Sequence, residues 1–147
     1  MRTRAGVLLL GLALQPAALL AQRQSELIRM ADSLIPYVEG ASGLTFLRPP
    51  RLGLRTRAEV RQYVDQAYRR ELTPERLTAI ATAYHLLGLL PDTAGFARLL
   101  VDLHAEELRG YYDPPTDSLF CVAGSSALEL KEVMAHELVH ALSLIHI

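Results

Sequence analysis

The feature that most constrains this 147-residue chain is an H-E-x-x-H motif at residues 136–140. Residues 129–142 around it contain neither glycine nor proline, so the sequence predicts an uninterrupted helix. Residues four positions apart lie one turn apart on the same face of a helix. The predicted helix therefore displays His136 and His140 side by side, with Glu137 next to them.

Two imidazoles at this spacing can reach one tetrahedral zinc ion, at Zn–N distances of about 2.0–2.1 Å. Zinc lowers the pKa of its bound water to about 7 and polarises a scissile carbonyl. Glu137 can take the proton of that water and later deliver it to a leaving amine. We therefore predict that His136 and His140 bind Zn²⁺. Glu137 is then the general base and acid of a zinc metallopeptidase.

The residues around the motif distinguish it from a solvated surface helix, which would mix charges at these positions. The flanking residues are all uncharged: Val133, Met134, Ala135, Leu138, Val139, Ala141 and Leu142. Two histidines and a glutamate in an apolar stretch are costly to bury unless something binds them. The alternative is a pair of core histidines without metal. His85 and His104 stand alone in predicted helices, and we expect structural roles for them.

The first 21 residues predict a signal peptide. Arg2 and Arg4 precede an apolar stretch over residues 5–14, and small residues lead to a plausible cleavage site after Ala21. The apolar stretch is shorter than the ~20 residues that a membrane-spanning helix needs, so no stable membrane anchor is expected after cleavage. The predicted location is extracytoplasmic, either periplasmic or secreted, in a bacterium.

The charge and the cysteine content limit which binding partners and which covalent cross-links we expect. The net charge is −1 and no long run of Lys or Arg occurs. The sequence therefore lacks the clustered positive charge that is typical of nucleic-acid-binding proteins. A peptide or protein substrate is the partner that the metal motif predicts. Cys121 is the single cysteine, so no internal disulfide can form, and its apolar neighbours predict burial. The alternative for Cys121 is a thiol that blocks the metal before activation.

Helix and turn signals predict a mainly helical α+β fold, with a small β-hairpin or sheet packed against the zinc-binding helix. Capping boxes begin at Thr56 and Ser126, and Asp92 is the expected cap of a further helix. The helices are expected to supply apolar and aromatic residues to the core: Tyr63, Tyr68, Ile80, Tyr84, Leu87, Phe96, Leu99 and Leu103. The predicted elements are helices over residues 24–38, 56–72, 73–87 and 92–108, a loop over 40–53, and hairpin strands over 110–112 and 118–122.

Residues 104–142 resemble a known group of proteins. The segment V-M-A-H-E-L-V-H-A-L at 133–142 is similar to the metal helix of the zincin metallopeptidases. The segment G-Y-Y-D-P at 110–114 resembles the hairpin that precedes this helix in exported bacterial H-E-x-x-H proteins. The resemblance implies that residues 22–147 are the N-terminal portion of a zincin-like metallopeptidase domain. It also implies that one hairpin strand is the sheet edge to which a peptide substrate adds.

Two other functions stay open: an exported helical zinc-binding or interaction module without turnover, and a binding domain with a fortuitous motif. A catalytic zinc normally has three protein ligands and a water. In Glu-type zincins the third ligand is a glutamate on a later helix. The given sequence holds no such helix after the motif, so we expect a C-terminally truncated chain that is weakly stable and inactive. The alternative is a metzincin-type spacing that ends at His146. Ser143 there replaces the glycine that permits the turn back to the metal.

Residues 142–147 are an unusual tail. The sequence L-S-L-I-H-I can be encoded by CTG-TCT-CTT-ATA-CAC-ATC, which is the transposon end used in sequencing-library preparation. We therefore expect residues 143–147 to be non-native, with the origin of Leu142 left open. Resequencing across this junction tests the expectation, and a genomic stop codon directly after Ile147 would contradict it.

Overall fold

The computed structural model describes the backbone of residues 15–145 and the side chains of residues 21–144. The fold is α+β and mainly helical, with one small sheet, as the sequence predicts. The described helices are α1 Gln15–Ser42, α2 Arg57–Glu71, α3 Pro74–Leu86, α4 Phe96–Glu107 and α5 Ala127–Ile145. The described strands are β1 Arg51–Arg55, β2 Gly110–Asp113 and β3 Ser118–Val122.

Local capping signals set the starts of three helices. Thr56 accepts the N–H of Glu59 through its side chain, while the Glu59 carboxylate accepts the N–H of Thr56, so the first capping box is confirmed. Ser126 and Glu129 exchange the same two bonds at the start of α5. Thr73 caps α3. These starts were predictable because each cap lies within a few residues of its partner.

Two predicted elements need correction. The prediction that Asp92 caps α4 is wrong, because the helix begins at Phe96 after Gly95, whose φ is 70°. Asp92 instead accepts the N–H of Ala94 within the preceding turn. The predicted loop over residues 40–53 contains the start of β1, Arg51–Arg55. Its partner, β3, is distant in sequence, so no local pattern indicates the pairing.

The first helix is longer than the predicted one. α1 extends from Gln15, the first described residue, through Ala21, the expected cleavage site, to Ser42. Residues 1–14 of the predicted signal peptide lie outside the described residues. Within the described part of the chain, no helix has the length and apolarity needed to cross a membrane.

The sheet separates two layers of helices. Its strand order is β1-β3-β2, with β1 parallel and β2 antiparallel to β3, so the predicted hairpin is confirmed. Leu119 and Cys121 of β3 face α1 and α5, while Val122 faces α2 and α4 together with Tyr111 of β2. Within the described residues β2 is an edge strand, and it runs beside α5.

The core lies mainly between α1, α5 and β3. Met134 and Leu138 of α5 are fully buried there. The prediction that Leu87, Leu99 and Leu103 enter the core is wrong, because 72%, 40% and 50% of their surfaces are exposed. Helical periodicity identified an apolar face on α3 and α4, but it could not show how little of that face another element covers.

Candidate metal centre

The helix α5 presents the H-E-x-x-H motif along its exposed side. Met134, Leu138 and Ala141 recur at the spacing of one helical face and are fully buried against α1 and the sheet. His136 and His140 lie on another face and are exposed. The packing of α5 therefore determines which way the two imidazoles point.

The two imidazoles converge on one point. The Nε2 atoms of His136 and His140 are 2.9 Å apart, and the ring centroids are 4.6 Å apart in an edge-on arrangement. Without a metal, this contact needs one ring to donate its N–H to the other. Two nitrogens on one tetrahedral zinc would be about 3.3–3.4 Å apart, given Zn–N bonds of about 2.0–2.1 Å. A small opening of the rings therefore makes the pair fit two ligand positions of zinc.

A third ligand is not found among the described residues, where no group of three His, Cys, Asp or Glu side chains could hold a metal. The backbone is helical through Ser143 to Ile145, and the Ser143 hydroxyl donates to the carbonyl of Val139 at 2.7 Å. The metzincin-type spacing requires the chain to turn at Ser143. The described chain stays helical there instead. His146 itself lies outside the described residues.

Glu137 lies between α5 and the edge of the sheet. Its Oε2 accepts the backbone N–H of Tyr112 in β2 at 2.9 Å, and the contact is partly buried. Sequence reasoning placed Glu137 on the same helix as the two histidines, and α5 carries all three residues. It could not show that the carboxylate is already hydrogen-bonded to the neighbouring strand.

The side chain of Tyr112 is held separately from its N–H. Its hydroxyl donates to Asp117 Oδ1 at 2.9 Å, and Arg48 Nε donates to Asp117 Oδ2 at 2.8 Å. Burial, followed by the hydrogen bond to Asp117, raises the pKa of Tyr112. Sequence reasoning missed Arg48 and Asp117. The turn sequence D-P-P-T-D at residues 113–117 was the one available signal for Asp117, whose φ of 48° in the structure is that of a turn residue.

Comparison with protein-family models, with curated proteins and with solved structures finds no match to this chain. A functional assignment therefore has to come from the geometry of α5 and β2. The sites that matter are the exposed imidazole pair, the adjacent carboxylate and the strand edge that the carboxylate touches.

Close packing holds β2 against both β3 and α5. A Cβ added to Gly110 would lie 2.8 Å from the carbonyl oxygen of Phe120 and 3.3 Å from Val133 Cγ1. On the opposite face, Tyr111 stacks on Tyr63 with ring centroids 3.9 Å apart. Tyr111 is therefore a packing residue. The glycine lets the strand approach the metal helix closely.

A cavity of about 420 Å³ borders both the hairpin and the last turns of α5. Its lining residues are Leu47, Arg48, Tyr112, Pro114, Asp117 and Leu144. Leu144 follows His140 by four residues, or about 6 Å along the helix axis.

The remaining candidate residues do not join the site. His85 Nδ1 contacts the carbonyl of Leu90 at 3.0 Å, and His104 Nδ1 contacts the hydroxyl of Tyr68 at 2.8 Å. Cys121 is fully buried, and this burial raises the pKa of its thiol to about 12. A protonated thiol inside the core is a small hydrophobic residue and a poor metal ligand.

Proposed function

We propose that this chain carries the metal-binding part of a zinc-dependent peptidase that acts outside the cytoplasm. One observation supports this most: the Nε2 atoms of His136 and His140 converge to 2.9 Å on an exposed helix face. Glu137 projects from the same helix toward the adjacent strand edge. The extracytoplasmic location rests on the signal-peptide pattern of residues 1–21.

In this proposal His136 and His140 hold the zinc ion through Nε2. Zinc, when bound, supplies Lewis acidity toward the scissile carbonyl and promotes ionisation of water. Glu137 accepts a proton from the water whose oxygen attacks the carbonyl carbon. It then delivers that proton to the amide nitrogen as the C–N bond breaks, so one carboxylate serves as base and then as acid.

The substrate class follows from the strand edge. In an antiparallel sheet an edge strand leaves every second N–H and C=O without a strand partner. An extended peptide can add to such an edge through its main chain, which makes recognition largely independent of side chains. β2 lies beside α5, so a peptide on this edge would pass close to the imidazole pair.

Zinc retention is the first test. The chain is expected to keep about one equivalent of zinc on dialysis, and His136→Ala or His140→Ala should lose it. The matched control variants His85→Ala and His104→Ala should retain it. At 100 times the dissociation constant, zinc should add about 2.7 kcal/mol of stability. That corresponds to a rise in melting temperature of about 5–10 °C for a chain of this size. Equal zinc content in all four variants would contradict the proposal.

Glu137→Gln separates metal binding from proton transfer. The variant should keep its zinc, because the two imidazoles are intact. In any preparation that cleaves casein, it should lose at least about 100-fold in rate, because general acid–base catalysis contributes about 10²–10⁴-fold. Glu132→Gln on the exposed surface of the same helix is the matched control and should leave the rate unchanged. Full activity of the Glu137→Gln protein would exclude the proposed role.

A further inference from the structure

The hydrogen-bonding pattern of the hairpin determines which groups of β2 face outward. The N–H of Val122 donates to the carbonyl of Arg109 at 2.8 Å, so this opposed pair is hydrogen-bonded. Hydrogen-bonded and non-hydrogen-bonded pairs alternate along an antiparallel ladder. The residues of β2 that direct their N–H and C=O away from β3 are therefore Gly110 and Tyr112.

One of these outward groups already has a partner. The N–H of Tyr112 donates to Glu137 Oε2 at 2.9 Å, a charge-assisted bond to the residue assigned to proton transfer. A peptide strand added to β2 needs the same N–H as a donor for one of its own carbonyls. The carboxylate and the substrate strand therefore compete for a single proton donor.

Resting on the peptidase function proposed above, we propose that substrate binding releases Glu137. The incoming peptide carbonyl replaces Glu137 Oε2 at the N–H of Tyr112, and the freed carboxylate rotates toward the imidazole pair. The backbone of Tyr112 is then a positioning element. It holds the proton-transfer group away from the metal ligands until a peptide occupies the strand edge.

The surrounding contacts indicate that the carboxylate moves and the strand does not. Tyr112 is tied through its hydroxyl to Asp117, which Arg48 also binds. At Gly110 the strand lies so close to β3 that an added Cβ would be 2.8 Å from the carbonyl oxygen of Phe120. A glutamate side chain, by contrast, can change rotamers without disturbing the packed face of α5.

The N–H of Tyr112 can be observed directly. Tyr111-Tyr112 is the single Tyr-Tyr pair in the sequence. After labelling with ¹³C-carbonyl, ¹⁵N-tyrosine, Tyr112 alone has a labelled carbon bonded to its amide nitrogen and gives one HNCO peak. In the zinc-free chain, Glu137→Ala should shift its amide proton upfield. Addition of oxidised insulin B chain, an extended polypeptide probe, should move the peak of this variant back downfield.

Affinity for the probe is the decisive readout. In the zinc-free chain, Glu137→Ala should bind oxidised insulin B chain about 3–10-fold more tightly than the unmodified chain, because a competing hydrogen bond is gone. Glu132→Ala, on the exposed surface of α5, is the control and should leave affinity unchanged. Glu137→Gln keeps a neutral acceptor and should give a smaller gain. A purely structural role for the contact predicts unchanged or weaker binding.

A second substitution isolates the donor. Proline is tolerated on an edge strand where its missing N–H would face outward. In a Tyr112→Pro background the gain from Glu137→Ala should disappear, whereas in a Tyr112→Ala background, which keeps the N–H, it should persist. Probe binding that Glu137→Ala fails to tighten, or undetectable binding by all variants, overturns the inference.

The two proposals fail separately. Retained zinc with unaltered probe affinity on Glu137→Ala overturns the exchange of hydrogen bonds alone. Tightened probe binding in a chain that retains no zinc overturns the metallopeptidase proposal and the release of Glu137 for proton transfer, while the competition for the N–H of Tyr112 stands.

Discussion

Gly110→Ala tests whether close approach of β2 limits this part of the fold. The added Cβ would lie 2.8 Å from the carbonyl oxygen of Phe120, which is backbone and cannot rotate away. It would also lie 3.3 Å from Val133 Cγ1. Relief requires the edge strand to shift by several tenths of an ångström, and such overpacking costs about 1–3 kcal/mol.

A second effect reduces this cost. Alanine restricts the unfolded chain more than glycine does, which favours folding by about 0.4–1 kcal/mol. The expected net destabilisation is therefore about 1–2 kcal/mol. Gly40 is the matched control, because it lies in α1 with nothing within 4 Å of an added Cβ. Gly40→Ala should stabilise the chain by about 0.5–1 kcal/mol, since glycine is a poor helix former.

Urea unfolding of both variants measures the difference. With a slope of about 2 kcal/mol per molar urea, the two unfolding midpoints should lie about 1 M apart, on opposite sides of the unmodified chain. If Gly110→Ala were as stable as Gly40→Ala, the close packing of β2 against β3 and α5 would not constrain this position, and the argument would fail.

Two further predictions concern α5. Leu138→Ala should cost about 2–5 kcal/mol in chemical unfolding, because Leu138 is fully buried, whereas half-exposed Val139→Ala should cost less than about 1 kcal/mol; equal losses would contradict the assigned helix face. Hydrogen bonds from the backbone and then the hydroxyl of Ser126, followed by Arg109, lower the pKa of Glu129 to about 2 from 4.5. Because the folded-state pKa is depressed, its stabilising contribution is present above pH 4.5 and is lost as pH falls toward 2. Glu129→Gln should therefore flatten stability against pH in that window, and an unchanged acid profile would refute this account.

Short-range chemistry made several elements predictable from the sequence. The capping boxes at Thr56 and Ser126 depend on residues three positions away, and both formed as expected. The hairpin was predicted from a turn sequence between two β-prone runs. These runs form β2 and β3, which pair antiparallel. The pairing of His136 with His140 required only helical spacing.

Features that depend on distant contacts escaped prediction. β1 pairs with β3 at a separation of 67 residues, as in Arg51 with Ser118, so nothing local marked Arg51–Arg55 as a strand. Predicting the hydrogen bond from the N–H of Tyr112 to Glu137 requires two pieces of information. One is which N–H groups of β2 point away from β3, and the other is where α5 packs against the sheet. Leu99 and Leu103 followed an apolar pattern, but their exposure depends on which elements reach α4.

The contact between α1 and α5 has a consequence for biosynthesis. These two helices are separated in the chain by the whole sheet and three other helices, yet they bury each other's apolar faces. Until the ribosome has made α5, Leu27 and Val38 have no α5 residues to pack against, and closing so long a loop is slow. The earliest-synthesised portion would therefore lack these packing contacts while it emerges. Under the export proposed above, this delay would suit a translocation channel that accepts only unfolded polypeptide.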